Sequence, residues 1–535
     1  MFNLAKKFDS WLHSHLFLLL ALLLLLALRI PNFFEPYWYG DEGIYLTIGN
    51  AIRNGERLYT EIVDHKTPII YFLAAVPTQL CFRFLTLSWM IISTIAFHAV
   101  AKKLLKKQLP IIVSTLIFVF LTSVPWFEGN IPNGELFVMG FVLVGAWIML
   151  KTKILEYFLN KRKSLTNIQD QFKLYLAGIF FGLAILTKVP GLFDVAAWLA
   201  AFWFVLTNRA SLLFDPNSRS KWLQLLKKTF VHLLFVILGI ITPILISIIY
   251  FMAVGSGQDY LQFGLLYNFR YAADWGLPFQ SLILKQLFTL PGKVFIAALI
   301  YFVLTLKTKW FKPREQIIFG WFILALVGAL LSNRPYPHYF QQLVPALALL
   351  LGNLVGAIKF QKKKIKNINS ITAMSLILLA LFTGALKLLN FGAYPLWSYY
   401  QRFYQLVSGK ITQQEYRQSF NYFMDDNYKA AEIINQSGVD EIFIWGTNPM
   451  LYALTKTNPT GRFIVSFHIK GLGVYEETLA SVKAKKPMFV IVMNDENGEL
   501  PGLNEYLQKY YVVNSNFTQF NLWKRLPELV SLGTL

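Results

Sequence analysis

Eleven apolar stretches recur along the chain, near residues 12–30, 84–101, 109–125, 136–150, 174–189, 191–207, 229–254, 292–307, 317–332, 343–358 and 370–390. An apolar run approaching about 20 residues crosses a bilayer as a helix. Helices and closed barrels alone satisfy their backbone polar groups in that medium. The pattern commits residues 1–390 to an α-helical polytopic membrane protein with about eleven transmembrane helices. Composition agrees, since 55% of the 535 residues are hydrophobic and the mean hydropathy is +0.47. The formal charge of +21 resembles a nucleic-acid binder until it is mapped. Lys and Arg gather in loops between spans, at Lys102–Lys107, Lys151–Lys173, Arg209–Lys228, Lys307–Arg314 and Lys359–Lys366. That is the positive-inside signature of a membrane protein, and nucleic acid is excluded as a partner. A single cysteine, Cys81, excludes an internal disulfide and a cysteine-based metal centre. Lys6 and Lys7 precede Leu16–Leu28 with no small-residue cleavage site after it, so the first span reads as uncleaved.

Placing the basic loops and the N-terminus in the cytoplasm puts the C-terminus outside the cell membrane. Pro68–Leu80 is apolar but too short to cross, and it is expected to lie along the outer interface. Upstream, Ile44, Ile48 and Ile52 recur every fourth residue, one stripe of a helix begun at Asp41 as N-cap and closed by Gly55. Residues 31–83 thus form a first external loop with outer juxtamembrane helices. The acids Asp41, Glu42, Asp64, Glu128 and Glu135 fall on this outer side, as do Lys188, Arg270, Arg334 and His338. Ionisable groups held at a bilayer surface are costly to place and suggest a site.

The loop from Gly40-Asp41-Glu42-Gly43-Ile44-Tyr45 to Asp64-His65-Lys66-Thr67-Pro68 resembles the first external loop of the GT-C glycosyltransferases. The nearest branch holds the protein O-mannosyltransferases and the lipid A aminoarabinose transferases. There a first span leads to an Asp-Glu pair, a Tyr three residues after the Glu, and a Lys-Pro-type lead into an interfacial helix. Thr67 stands here where many relatives have proline. Three later segments are similar to the same pattern: Ile131–Glu135 to a second acidic site, Leu186–Gly191 to a lysine turn, and Arg334–Phe340 to an aromatic, basic helix mouth. The resemblance covers about residues 1–390 and is strongest in the first loop. It implies a GT-C-like fold and an inverting glycosyltransferase that uses a polyprenyl-phosphate sugar donor.

The chemistry of such a transfer asks for a base to take the acceptor's proton and for cations to stabilise the departing phosphate. Asp41 is the candidate base and Glu42 the candidate to orient the acceptor or a metal. Lys66, Lys188 and Arg270 are phosphate candidates, with Arg334 behind them. Tyr45, Asp64, Glu128, Glu135 and His338 are candidates for acceptor or sugar binding. Plainer readings stand beside these: Asp41 as a helix cap, Asp64 as a partner of Lys66, Lys66 and Arg270 as snorkelling cations, and Glu135 as a helix-dipole acid. Asp194 is expected to reach toward Lys188 or the outer mouth. Seven histidines are spread over the chain without an HxxxH pair, so no cofactor is called for and a divalent metal has no support from spacing. No Gly-rich turn or P-loop offers a nucleotide site. Partners are therefore a polyprenyl-phosphate sugar, membrane lipid, and a lipid, polysaccharide or protein acceptor. A lipid-linked glycan polymerase or ligase, or a glycan flippase, are the competing readings.

Hydropathy falls after about residue 391, and residues 391–535 read as an extracytoplasmic helical linker and a small soluble α/β domain. Thr412-Gln413-Gln414-Glu415 is a capping box opening a helix. Beyond it, helices are expected at 428–436, 449–455, 475–485 and 503–510. Strands are expected at 441–445, 462–467 and 488–494, with a closing hairpin at 511–514 and 520–524, in a mainly parallel sheet.

Overall fold

The computed structural model describes residues 2–153, 168–207, 219–273, 280–306, 311–358, 369–421, 423–496 and 498–527. The basic-loop residues at 154–167, 208–218, 307–310 and 359–368 lie outside them. The chain divides into two compact units. One comprises Met1–Ile30, Phe84–Ile249 and Asn268–Leu396; the other comprises Pro31–Arg83, Tyr250–Tyr267 and Trp397–Leu535.

The first unit is helical. Each of the eleven expected stretches coincides with a helix, but they differ in length. Among the described residues six helices are long and apolar enough to cross a membrane: His15–Phe34, Gln79–Leu104, Gln169–Thr187, Phe230–Ala253, Pro337–Ala357 and Ser370–Leu388. The pair Leu282–Phe288 and Leu290–Leu304, bent by 75°, makes a seventh if it is one span. Gln108–Leu121, Gly134–Leu150 and Gly191–Trp203 are shorter apolar helices. The stretch expected at 109–125 stops at Leu121 because the chain there enters a tight turn through Pro125. In that turn Glu128 takes a left-handed backbone, φ +54°, a conformation that costs energy for any residue with a Cβ.

The second unit combines the first loop with a five-stranded sheet. Strands β1 (Glu441–Trp445), β2 (Asn458–Pro459), β3 (Phe489–Met493), β4 (Tyr511–Asn516) and β5 (Phe520–Arg525) lie in the order β2-β1-β3-β5-β4. β1 runs parallel to β2 and β3, whereas β5 is antiparallel to both β3 and β4. The sheet is therefore mixed, where a mainly parallel one was expected, because the closing hairpin itself pairs with β3. The strand expected at 462–467 is also revised. Its extended start pairs with the first loop instead, Val63 N–H donating to the Arg462 carbonyl at 2.7 Å and Val63 bridging Phe463. From Ser466 to Leu472 the chain is helical.

The loop's first helix runs Gly40–Arg53, with Ile44 and Ile48 buried as the stripe requires. Its N-cap is Tyr39 and not Asp41, two residues earlier, with Gly43 N–H donating to the Tyr39 carbonyl at 3.0 Å. This helix fits closely between two neighbours. A Cβ on Gly43 would lie 2.8 Å from the Met450 nitrogen, and one on Gly49 would lie 2.2 Å from the Ala74 oxygen. The interfacial helix expected over 68–80 shrinks to Ile69–Leu73. Pro77 disfavours helical backbone at the residue before it, and the next helix begins at Gln79.

Candidate functional site

The first loop and the C-terminal part of the second unit meet at a buried polar cluster. Asp64 is its centre. Its Oδ2 accepts from the Tyr71 hydroxyl at 2.5 Å and from Lys66 Nζ at 3.4 Å. Its Oδ1 lies 3.0 Å from His65 Nδ1 and 3.2 Å from His468 Nε2, and those two ring nitrogens are 3.0 Å apart. Burial opposes the Asp64 charge, but Lys66 and His65 beside it outweigh burial and hold its carboxyl well below the usual carboxylate range. Burial lowers both histidines, His65 against the pull of Asp64 and His468 down to about 3.

Lys66 bridges two carboxylates, with its Nζ 3.4 Å from Asp64 Oδ2 and 3.4 Å from Asp41 Oδ1. It also lies over the Tyr45 ring, 5.2 Å from the centroid, while the Tyr45 hydroxyl donates to Asp41 Oδ2 at 3.2 Å. The Lys66 backbone is pinned as well. Tyr59, itself at φ +73°, donates its hydroxyl to the Lys66 carbonyl at 2.8 Å, and Lys66 N–H donates to the Tyr71 hydroxyl at 3.1 Å. At 6% exposed, Lys66 does not snorkel. The Asp41 side chain, 23% exposed, is the most open of this group, against 1% for Asp64. A partly exposed carboxylate beside a fixed ammonium is placed where a bound hydroxyl could reach it.

Glu42 behaves differently from its neighbour. It is buried and held by Arg83, whose Nε and Nη2 donate to its two oxygens at 2.9 Å each, and by Gln79 Nε2 at 2.9 Å. Arg83 also donates to the Asn32 and Glu35 carbonyls, so Glu42 belongs to the brace that fixes the loop.

In the helical unit a second group forms. Lys188 pairs with Glu135 and lies over the Tyr339 ring at 4.8 Å. Tyr339 stacks edge-on against His338, whose Nδ1 is 2.6 Å from Glu128 Oε2. Four expected site residues, Glu128, Glu135, Lys188 and His338, are thus brought together. Arg334 lies over the Tyr271 ring at 3.9 Å, and Arg270 is exposed on the helix Tyr267–Ala273. Asp194 does not reach toward Lys188; its carboxylate accepts from Trp321 Nε1 at 2.6 Å and Gln342 Nε2 at 2.5 Å, polar partners that a buried acid needs.

Sequence reasoning passed over His65, Tyr59, Tyr71, Arg83 and His468. His65 sits inside the Asp64–Lys66 segment and was within reach. Nothing local marks His468, whose partner is 403 residues away.

No protein-family model and no curated protein matches the chain. Among solved structures it is similar to the oligosaccharyltransferase of Archaeoglobus fulgidus. The crystal structure tethered to an acceptor peptide with the NVT sequon aligns at 13% identity and a TM-score of 0.45, covering 98% of this chain and 76% of that one. The complex with an inhibitory peptide and dolichol-phosphate aligns at 13% identity and 0.43, with the same coverage. The complex with zinc and sulfate aligns at 13% and 0.43, covering 89% of this chain and 68% of that one.

Proposed function

We propose that this chain is an inverting glycosyltransferase of the cell membrane, moving a sugar from a polyprenyl-phosphate donor to an acceptor on the extracytoplasmic face. One observation carries the reading: the first loop holds an accessible carboxylate, Asp41, against a buried ammonium, Lys66, in a chain dominated by apolar helices. The order of motifs in that loop, which resembles the GT-C pattern, agrees. In the proposed step the acceptor hydroxyl gives its proton to Asp41 while its oxygen bonds to the anomeric carbon. The bond from that carbon to the phosphate oxygen breaks on the opposite face, and polyprenyl phosphate leaves with the electron pair. Lys66 stabilises the charge that develops on the phosphate. Glu42 holds the loop through Arg83. For the group in the helical unit the proposed roles are donor phosphate binding for Lys188 and acceptor or sugar binding for Glu128, Glu135 and His338.

The test is transfer from radiolabelled polyprenyl-phosphate sugars in membranes carrying wild type or Asp41→Asn. The amide keeps the size and loses the proton acceptor, so turnover should fall roughly 100- to 10,000-fold at unchanged protein abundance. Transfer near the wild-type rate would remove Asp41 from the mechanism.

A further inference from the structure

We propose that Asp64, His65 and His468 form a binding site for one zinc-like divalent cation that fastens the first external loop to the C-terminal helix Ser466–Leu472. The three donor atoms, Asp64 Oδ1, His65 Nδ1 and His468 Nε2, form a triangle with edges of 3.0, 3.2 and 3.0 Å, and all three residues are buried. Zinc bonds of about 2.0–2.1 Å at a tetrahedral centre put ligand atoms about 3.3–3.4 Å apart. The triangle therefore matches one face of such a tetrahedron to within a few tenths of an ångström, leaving the fourth vertex for water. The donor set of two imidazoles and a carboxylate is one that zinc takes.

With one lone pair turned inward from each of the three atoms, a cation would be held by all three at once. The surroundings also orient the carboxylate as an outer shell does. Tyr71 and Lys66 both engage Asp64 Oδ2, which leaves Oδ1 turned to the histidines. The consequence for the loop is direct, because Lys66 and its contact to Asp41 follow the same backbone segment.

The test uses the full-length chain purified in detergent, stripped with a chelator, and reloaded with zinc or cobalt(II). Elemental analysis should find about one equivalent retained by wild type, lost in His65→Ala and in His468→Ala. Cobalt-loaded wild type should show the intense visible absorption of a four-coordinate site. In His468→Cys the ion should be retained and a thiolate-to-cobalt charge-transfer band should appear, which requires residue 468 to be a ligand. Cys81, the single native cysteine, is exposed and present in both proteins, so it cancels in the comparison. No retained zinc in wild type, retention at the wild-type level in the alanine variants, or a His468→Cys spectrum identical to wild type would each overturn the site. None of these outcomes depends on sugar transfer.

Discussion

Arg83→Met removes one side chain from a buried brace, and its cost follows from what it leaves behind. Arg83 and Glu42 are 1% and 2% exposed, and the guanidinium supplies two of the three side-chain donors to the Glu42 carboxylate. After the substitution Glu42 keeps, among the described residues, the Gln79 side chain, while Glu35 keeps the Tyr399 hydroxyl and Trp38 Nε1. Stripping one partner from a buried ion pair costs about 3–5 kcal/mol, mostly as an uncompensated charge. Membrane proteins are best compared by rates of irreversible unfolding. If the brace forms late in folding, the rate of loss in detergent should rise roughly 100-fold to several thousand-fold. The assay is the half-life of the monodisperse protein on heating, with protease cleavage of residues 31–83 as a second readout. Arg83→Met combined with Glu42→Met should regain most of the loss, because replacing both partners with apolar groups is close to neutral. A wild-type half-life in the single variant, or a double variant no better than the single, would refute the brace.

Two further predictions concern the proposed reaction. Lys66→Ala should lower single-turnover transfer more than donor affinity, since its charge matters most as the phosphate leaves. Losing one charge-assisted contact costs about 1.5–3 kcal/mol, on the order of ten- to a hundredfold in rate, and unchanged turnover would exclude that role. A reporter fused at Gly502 should be extracytoplasmic and one fused after Lys107 cytoplasmic; a cytoplasmic C-terminus would remove the outer-face reaction altogether.

The helical membrane class was decided by the sequence alone, because hydrophobic run length is a local property and the bilayer imposes it regardless of neighbours. Most C-terminal elements were equally local. The Thr412–Glu415 capping box, the strand Glu441–Trp445 and the helix Tyr475–Lys485 all stand where capping and apolar periodicity put them. The loop's candidates Asp41, Tyr45, Asp64 and Lys66 were legible because they are close in sequence and polar beside apolar anchors. Packing decided what those residues do. Asp41 and Glu42 are adjacent and chemically alike, yet one faces Lys66 and partial exposure while the other is sealed against Arg83. No short-range rule separates them; the difference lies in which side of the helix Gly40–Arg53 meets Lys66 and which meets Arg83. The extended segment at Arg462–Phe463 was legible as extended, but its partner, Val63, was not. His468 is the extreme case. It is an ordinary histidine in its own helix, and it reaches Asp64 and His65 only because long-range burial folds the first loop and the C-terminal sheet into one unit.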